Sequence, residues 1–272
     1  MLTLTVELAG GLGNQLFQLA GLIHISRRTK RIPYIQTVVN PSVHTHVNYF
    51  DTIFSKFRIM VSSRRPEWAV TETRLSYSGW ASRFENYRNP TMLGYFQDWR
   101  YVDADFSSWL TFTDKTARYP GLKEGVFLHI RGGDYIGHLL HDVGLDMYYE
   151  RAIELFPGKH FFLITNDLDY AQSKPFLRNI AYTVVQENEL DTLYIMSQCG
   201  GGICANSTFS WWGAYLNPNR KIIMPDVWYN DPDMSTVGYY FPGVIKCPVL
   251  PPSVEVAEAS FPLRDESEPH PT

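Results

Sequence analysis

Short apolar runs alternate with stretches of helical periodicity along much of this chain, and that alternation limits the fold more than any other feature. Leu2–Leu8 reads as a strand and 9–14 as a glycine turn. From Gln15 to about Arg28 the apolar residues Leu16, Leu19, Ala20 and Ile23 recur at helical spacing. Beyond position 120 the pattern returns. Strands are expected over 125–130, 160–165, 182–186, 202–205 and 221–225, and helices over 145–155, 189–197 and 210–216. Strands and helices in this order predict a mostly parallel sheet covered on both faces. Residues 40–120 show scattered aromatics and no long pattern. The last twenty or so, rich in Pro, Glu and Ser, read as a flexible tail. A length of 272 residues suits one large domain or two lobes.

Composition narrows the function. Net charge is −4 and no Lys/Arg cluster or basic stripe is present, which argues against nucleic acid as a partner. An anionic ligand would need a local positive pocket instead. No apolar run reaches the roughly 18 residues of a membrane span, so no integral membrane segment is expected, with peripheral association left open. The first residues lack the basic region and cleavage site of a signal peptide. The three cysteines, Cys199, Cys204 and Cys247, have no zinc-type spacing with histidine. They read as reduced thiols of a cytoplasmic protein, one disulfide being the minority alternative.

Residues 126–135, Val-Phe-Leu-His-Ile-Arg-Gly-Gly-Asp-Tyr, carry the sharpest chemical signal. An apolar strand delivers His129 and Arg131 into a Gly-Gly turn. The arginine fork fits phosphate oxygens two at a time, and glycines let backbone approach a ligand. A structural ion pair between Arg131 and Asp134 is the competing reading. In a parallel sheet, ligands sit beyond the carboxyl ends of the strands. Four clusters fall there: 10–15, 131–134, 165–167 and 206–210. The last opens a helix, so Asn206, Ser207, Thr208, Phe209 and Ser210 bring backbone donors to an anion site, or Ser207 and Thr208 simply cap the helix.

Three motifs occur in order: Gly-Gly-Leu-Gly-Asn-Gln-Leu-Phe-Gln (10–18), His-Ile-Arg-Gly-Gly-Asp-Tyr (129–135) and Ala-Asn-Ser-Thr-Phe-Ser-Trp-Trp-Gly-Ala-Tyr-Leu (205–216). Together with Leu-Gly-Tyr-Phe-Gln-Asp-Trp (93–99) and Asp-Thr-Leu-Tyr-Ile-Met-Ser (191–197), they resemble the α-1,2-fucosyltransferases of glycosyltransferase family eleven. The resemblance implies a GT-B-like α/β fold of two Rossmann-like lobes around a cleft. An acceptor-side lobe would span 1–120, a GDP-sugar-binding lobe 121–250, and the tail 251–272. It implies inverting transfer of L-fucose from GDP-β-L-fucose to the 2-hydroxyl of a galactose-type glycan acceptor. No metal or other cofactor is implied, and Asp103-Ala-Asp105 lies in an irregular region. Arg and backbone donors would then neutralise the leaving diphosphate.

Carried over by residue, Arg131 would hold the diphosphate, and His129 would line the donor pocket. Ser207, Thr208, Phe209 and Ser210, with Asn206, would form the phosphate loop. Gly13 and Asn14 belong to the turn near the fucose, and Asn166 and Asp167 to a polar pair at the donor cleft. Arg131, His129 and Asn14 are the catalytic candidates. Asp191 precedes Ser207 by the interval that separates a guanine-binding Asp from the phosphate-binding Ser in protein O-fucosyltransferases. A charge at a helix start is its alternative reading. The family's second Arg is Gly132 here, and Arg27, Arg28 and Arg100 are the candidate compensating cations. No Asp or Glu is marked as a base. Trp211 and Trp212 read as packing residues, with stacking on sugar or guanine as the alternative. Other GDP-sugar transfer and a non-catalytic nucleotide-sugar-binding homologue are the rival functions. A Rossmann dehydrogenase fits poorly, because Leu16 stands where the third glycine would be.

Overall fold

The computed structural model describes residues 1–36, 48–62, 68–72, 77, 84, 86–217 and 221–249. The expected tail lies outside them. Two parallel sheets organise the described residues. The first contains β1 (Thr3–Glu7), β2 (Ile32–Gln36), β3 (Val61–Ser62), β4 (Trp68–Thr71) and β5 (Pro90–Leu93), in the order β3-β2-β1-β5-β4. The second contains β6 (Val126–Ile130), β7 (Phe161–Thr165), β8 (Tyr182–Val184), β9 (Gly201–Ile203), β10 (Ile222–Pro225) and β11 (Val244–Cys247), in the order β11-β10-β9-β6-β7-β8. Every strand pair is parallel. In the second sheet the chain winds outward from β6 to β8, then crosses back to β9 and winds the other way. That is Rossmann strand order, and its ligand crevice opens where the winding reverses, beyond the ends of β6 and β9.

The helices are α1 (Leu12–Thr29), α2 (Asp146–Glu154), α3 (Leu168–Ser173), α4 (Glu189–Gln198) and α5 (Thr208–Tyr215). Helix α1 is buried nearly all round, from Leu12 to Ser26. A helix without a polar face belongs inside a fold, and α1 packs on β1 and β2 as well as on α5. Phe17 of α1 meets Trp211 and Trp212 of α5 at ring centroids of 4.4 and 5.0 Å. One hydrophobic core therefore runs from Leu4 and Val6 through α1 to Leu193, Trp211 and Phe241. At its far end α1 carries Arg27 and Arg28, suited to the negative end of the helix dipole. Arg27 is held there by Asp103 at 2.8 Å and Asp105 at 2.7 Å, so the Asp103/Asp105 pair is engaged in an ion-pair cluster.

The helix and strand periodicities beyond position 120 correspond to elements of the second sheet. Strands β2 to β5, the short helix α3 and β11 were not read from the sequence. Strand β3 has two residues, and β4 forms an edge with only Val70 buried. Neither carries enough pattern to register. The three cysteines are buried and none is in a disulfide.

Candidate active site

A cavity of about 710 Å³ opens at the reversal point of the second sheet. Arg131 follows β6, Asn166 follows β7, and the 206–209 turn follows β9. From the first sheet come Gly11, Leu12, Gly13 and Asn14 at the start of α1. The two helix starts touch. A Cβ on Gly13 would lie 2.6 Å from the Thr208 carbonyl carbon and 2.8 Å from the Phe209 nitrogen, so only glycine allows this approach. Neither helix has an acidic residue in its first turn. Gly11 caps α1 without a side chain, and Ser207 Oγ accepts from Phe209 N–H at 3.4 Å in α5. The positive ends of two helices therefore meet at one cavity.

Arg131 is the lysine or arginine that lines this cavity among the described residues. One of its terminal nitrogens donates to Asp134 at 2.7 Å, so the ion pair read from sequence does form. The pairing does not consume the fork: buried Nε has no partner. The guanidinium lies 5.0 Å from the Tyr135 ring, which stacks on His141 at 4.8 Å. His129 sits behind, 2% exposed, its Nδ1 without a partner. Burial, reinforced by Arg131, lowers its pKa to about 3, so the ring is neutral at pH 7.

Asn166 clamps the turn after Arg131, accepting from Gly132 N–H at 2.9 Å and donating to Gly132 O at 3.2 Å. Gly132 has no room for a side chain: a Cβ would lie 2.7 Å from Asp167 Cβ and 2.8 Å from Tyr170 Cδ1. Neither Arg27, Arg28 nor Arg100 lines the cavity, and Arg100 is tied to Asp98 at 2.5 Å. Two strands away from Arg131, roughly 10 Å by strand spacing, the segment after β8 brings Glu187, Glu189 and Thr192 to the lining. Arg118 holds Glu187 at 2.9 Å, and the Tyr49 hydroxyl donates to Glu189 at 2.6 Å. The cavity is thus bipolar, with donors and Arg131 at one end and fixed carboxylates at the other.

Of the residues singled out in sequence, Gly13, Asn14, His129, Arg131, Asn166, Ser207, Thr208 and Phe209 line the cavity together. Four stand behind the lining. Asp167 caps α3, accepting from Tyr170 N–H at 3.0 Å. Asn206 donates to the His141 and Trp228 carbonyls, both at 2.9 Å. Ser210 Oγ donates to the Ala205 and Ser207 carbonyls. Asp191 accepts from Asn188 Nδ2 at 2.7 Å, because Asn188 caps the same helix and reaches it first. Glu187 and Glu189 were missed, since nothing in sequence says that the chain after β8 turns toward the cleft. Trp211 and Trp212 are fully buried, which settles them as packing residues. Among the described residues no group of three or more His, Cys, Asp or Glu side chains converges as a metal site. No helix among them is long and apolar enough to cross a membrane.

Residues 119–243 match the profile of glycosyl transferase family 11. The match takes in a little under half of the chain, most of it in the second sheet. The chain is 35% identical over 116 residues to the O-antigen biosynthesis glycosyltransferase WbnK of Escherichia coli, an alignment spanning 38% of each chain. It is 24% identical to an α-1,2-colitosyltransferase of Escherichia coli, over 87% of this chain and 96% of that one. Among solved structures, the fucosyltransferase NodZ from Bradyrhizobium superposes with a TM-score of 0.53 at 12% identity, covering 80% of this chain and 94% of that one. A NodZ α-1,6-fucosyltransferase crystallised with GDP superposes equally well. The two-sheet GT-B architecture shared with these structures accounts for both the sheet order and the position of the cleft.

Proposed function

We propose that this chain is an inverting fucosyltransferase that moves L-fucose from GDP-β-L-fucose to the 2-hydroxyl of a galactose-type acceptor. The observation that carries this reading is the bipolar cavity. The paired helix starts and Arg131 suit a diphosphate, and the carboxylates after β8 suit a base edge rich in N–H donors, as guanine's is. Glu187 and Glu189 take the base-reading position in this arrangement, while Asp191 supports it from behind through Asn188. The 1–120 segment would serve the acceptor and 121–250 the donor. A cytoplasmic setting agrees with three buried cysteines outside any disulfide.

In the reaction the acceptor hydroxyl oxygen attacks the anomeric carbon from the face opposite GDP and its proton is released to solvent. The C1–O bond to the β-phosphate breaks, and its electron pair stays on the diphosphate. Fucose departs with oxocarbenium character, so neutralising the leaving oxygen governs the barrier. Arg131 and the two helix starts supply that field without reorganising. His129, neutral and buried, keeps the floor behind Arg131 free of competing charge.

A second reading has one observation in its favour: the relative that aligns over most of this chain is an α-1,2-colitosyltransferase. Colitose is fucose without its 3-hydroxyl, so the same diphosphate and base sites would serve. Incubation with GDP-fucose and GDP-colitose against a panel of galactosides, with the linkage read by NMR, separates the two. Product from GDP-fucose bearing an α-1,2 linkage supports the first. Product from GDP-colitose alone replaces it with the second. GDP binding without transfer from either donor leaves a nucleotide-binding homologue.

A further inference from the structure

We propose that Gln97 and Tyr239 are positioning residues that fix Asn14 as a hydrogen-bond donor to the ligand. The inference rests on the fucosyltransferase reading of the cavity and names how one of its residues is set. Asn14 lines the cavity at the junction of the two helix starts. Its Oδ1 is already occupied twice, by Gln97 Nε2 at 2.9 Å and Thr208 Oγ1 at 3.0 Å. A carbonyl oxygen has two lone pairs, so what remains for a ligand is the Nδ2 group, which lies over Gly10.

The polarity is set further back. The Tyr239 hydroxyl gives its single proton to Gln97 Oε1 at 2.5 Å and lies 2.6 Å from the Tyr229 hydroxyl, from which it accepts. With its carbonyl claimed by Tyr239, Gln97 turns its amide N–H toward Asn14. Every bond in the series Tyr229, Tyr239, Gln97, Asn14 then donates in one direction, toward the cavity. Gln97 and Tyr239 are buried, so water does not compete for these groups. Both ends are pinned by the adjacent tryptophans of α5. Trp211 Nε1 donates to Tyr239 O at 2.6 Å, and Trp212 Nε1 donates to Gly13 O at 2.9 Å. Trp228 stacks on the Tyr239 ring at 4.4 Å.

A fixed donor beside two positive helix ends serves an oxygen that gains negative charge. In sugar transfer that is the β-phosphate oxygen, which keeps the electron pair of the broken C1–O bond. Asn14 gives it a hydrogen bond and transfers no proton. The same polarity excludes Asn14 as an acceptor for the attacking hydroxyl.

The test is a double-mutant cycle between Asn14→Asp and Gln97→Met, with Tyr239→Phe as a variant that removes one oxygen and keeps the ring. Gln97→Met and Tyr239→Phe should each lower kcat about tenfold, with the Kd for GDP-fucose, whose bridging oxygen has not yet gained charge, within about twofold of wild type. In the Asn14→Asp background, Gln97→Met should lower kcat by less than about twofold more, because its route to the ligand is already gone. Equal losses in both backgrounds would mean that Gln97 acts through the fold alone. Wild-type turnover in Asn14→Asp would mean that the residue accepts rather than donates. Either result overturns the proposal. A readout independent of turnover is the Asn14 side-chain amide in ¹⁵N NMR. Its protons should shift when GDP binds the wild type, and this shift should be lost in Gln97→Met and Tyr239→Phe. If the wild type binds GDP and transfers nothing, the enzymatic reading fails, while an unchanged amide shift in both variants would sink the positioning role by itself.

Discussion

At the residue scale, Arg131 joins a strand end to the ligand, and its free Nε is the measure of its role. Arg131→Ala should lower kcat by about 10²–10³, the loss expected when one fixed oxyanion donor is removed. Arg131→Lys should not restore it, because a point charge lacks the fork. Unaltered kcat/KM in Arg131→Lys would detach this side chain from the diphosphate. His129 yields a prediction in pH. Its folded pKa is about 3, below the ordinary value of 6.5. The unfolded chain therefore takes up the proton first, and stability is lost as pH falls from about 6.5 toward 3, by at most about 1.4 kcal/mol per pH unit. Denaturant titrations should show this slope in wild type and a shallower one in His129→Gln. Arg131 and Asn14 were legible in sequence because they stand in glycine turns at strand ends. Asp191 stands behind the lining with its carboxylate held by Asn188, a contact that a sequence interval cannot show.

At the scale of elements, the decisive contact is between the starts of α1 and α5. Gly13→Ala should cost about 1–3 kcal/mol through overpacking against Thr208 and Phe209, and it should weaken GDP binding by spreading the two helix ends. Gly11→Ala is the control. It lies on the same lining with extended backbone at φ −71° and meets nothing within 4 Å, so its melting temperature should match wild type. Equal melting temperatures for both variants would refute the close approach. Both helices were readable from apolar periodicity. Their meeting was not, because Gly13 and Thr208 lie far apart in the chain and the lone cue is a missing side chain. Strands β3 and β4 escaped for a different reason: short edge strands need little burial, so they leave little pattern. Gly132 shows the same limit. The sequence reports a missing arginine, whereas the fold shows Tyr170 and Asp167 of the next unit standing in its space.

At the scale of the whole molecule, the proposed function asks a chain of net charge −4 to gather a diphosphate with one arginine and three carboxylates among the described residues of the cavity lining. The global field opposes binding, so the attraction has to be local and built from dipoles. Dipoles aligned by two helices that are themselves locked together need no ion to organise them. Transfer should therefore proceed without divalent metal. Rates in excess EDTA should match those in Mg²⁺ or Mn²⁺ within about twofold, a difference of under roughly half a kcal/mol in the barrier. A metal that merely speeds release of GDP would raise multiple-turnover rates alone, so the single-turnover rate in EDTA is the informative quantity. Salt should matter little as well, because fixed donors inside a cleft are screened far less than surface charges. Loss of single-turnover transfer in EDTA, restored by Mn²⁺, would show that a cation takes the place left by the arginine absent at Gly132, and that the helix starts do not carry the charge unaided.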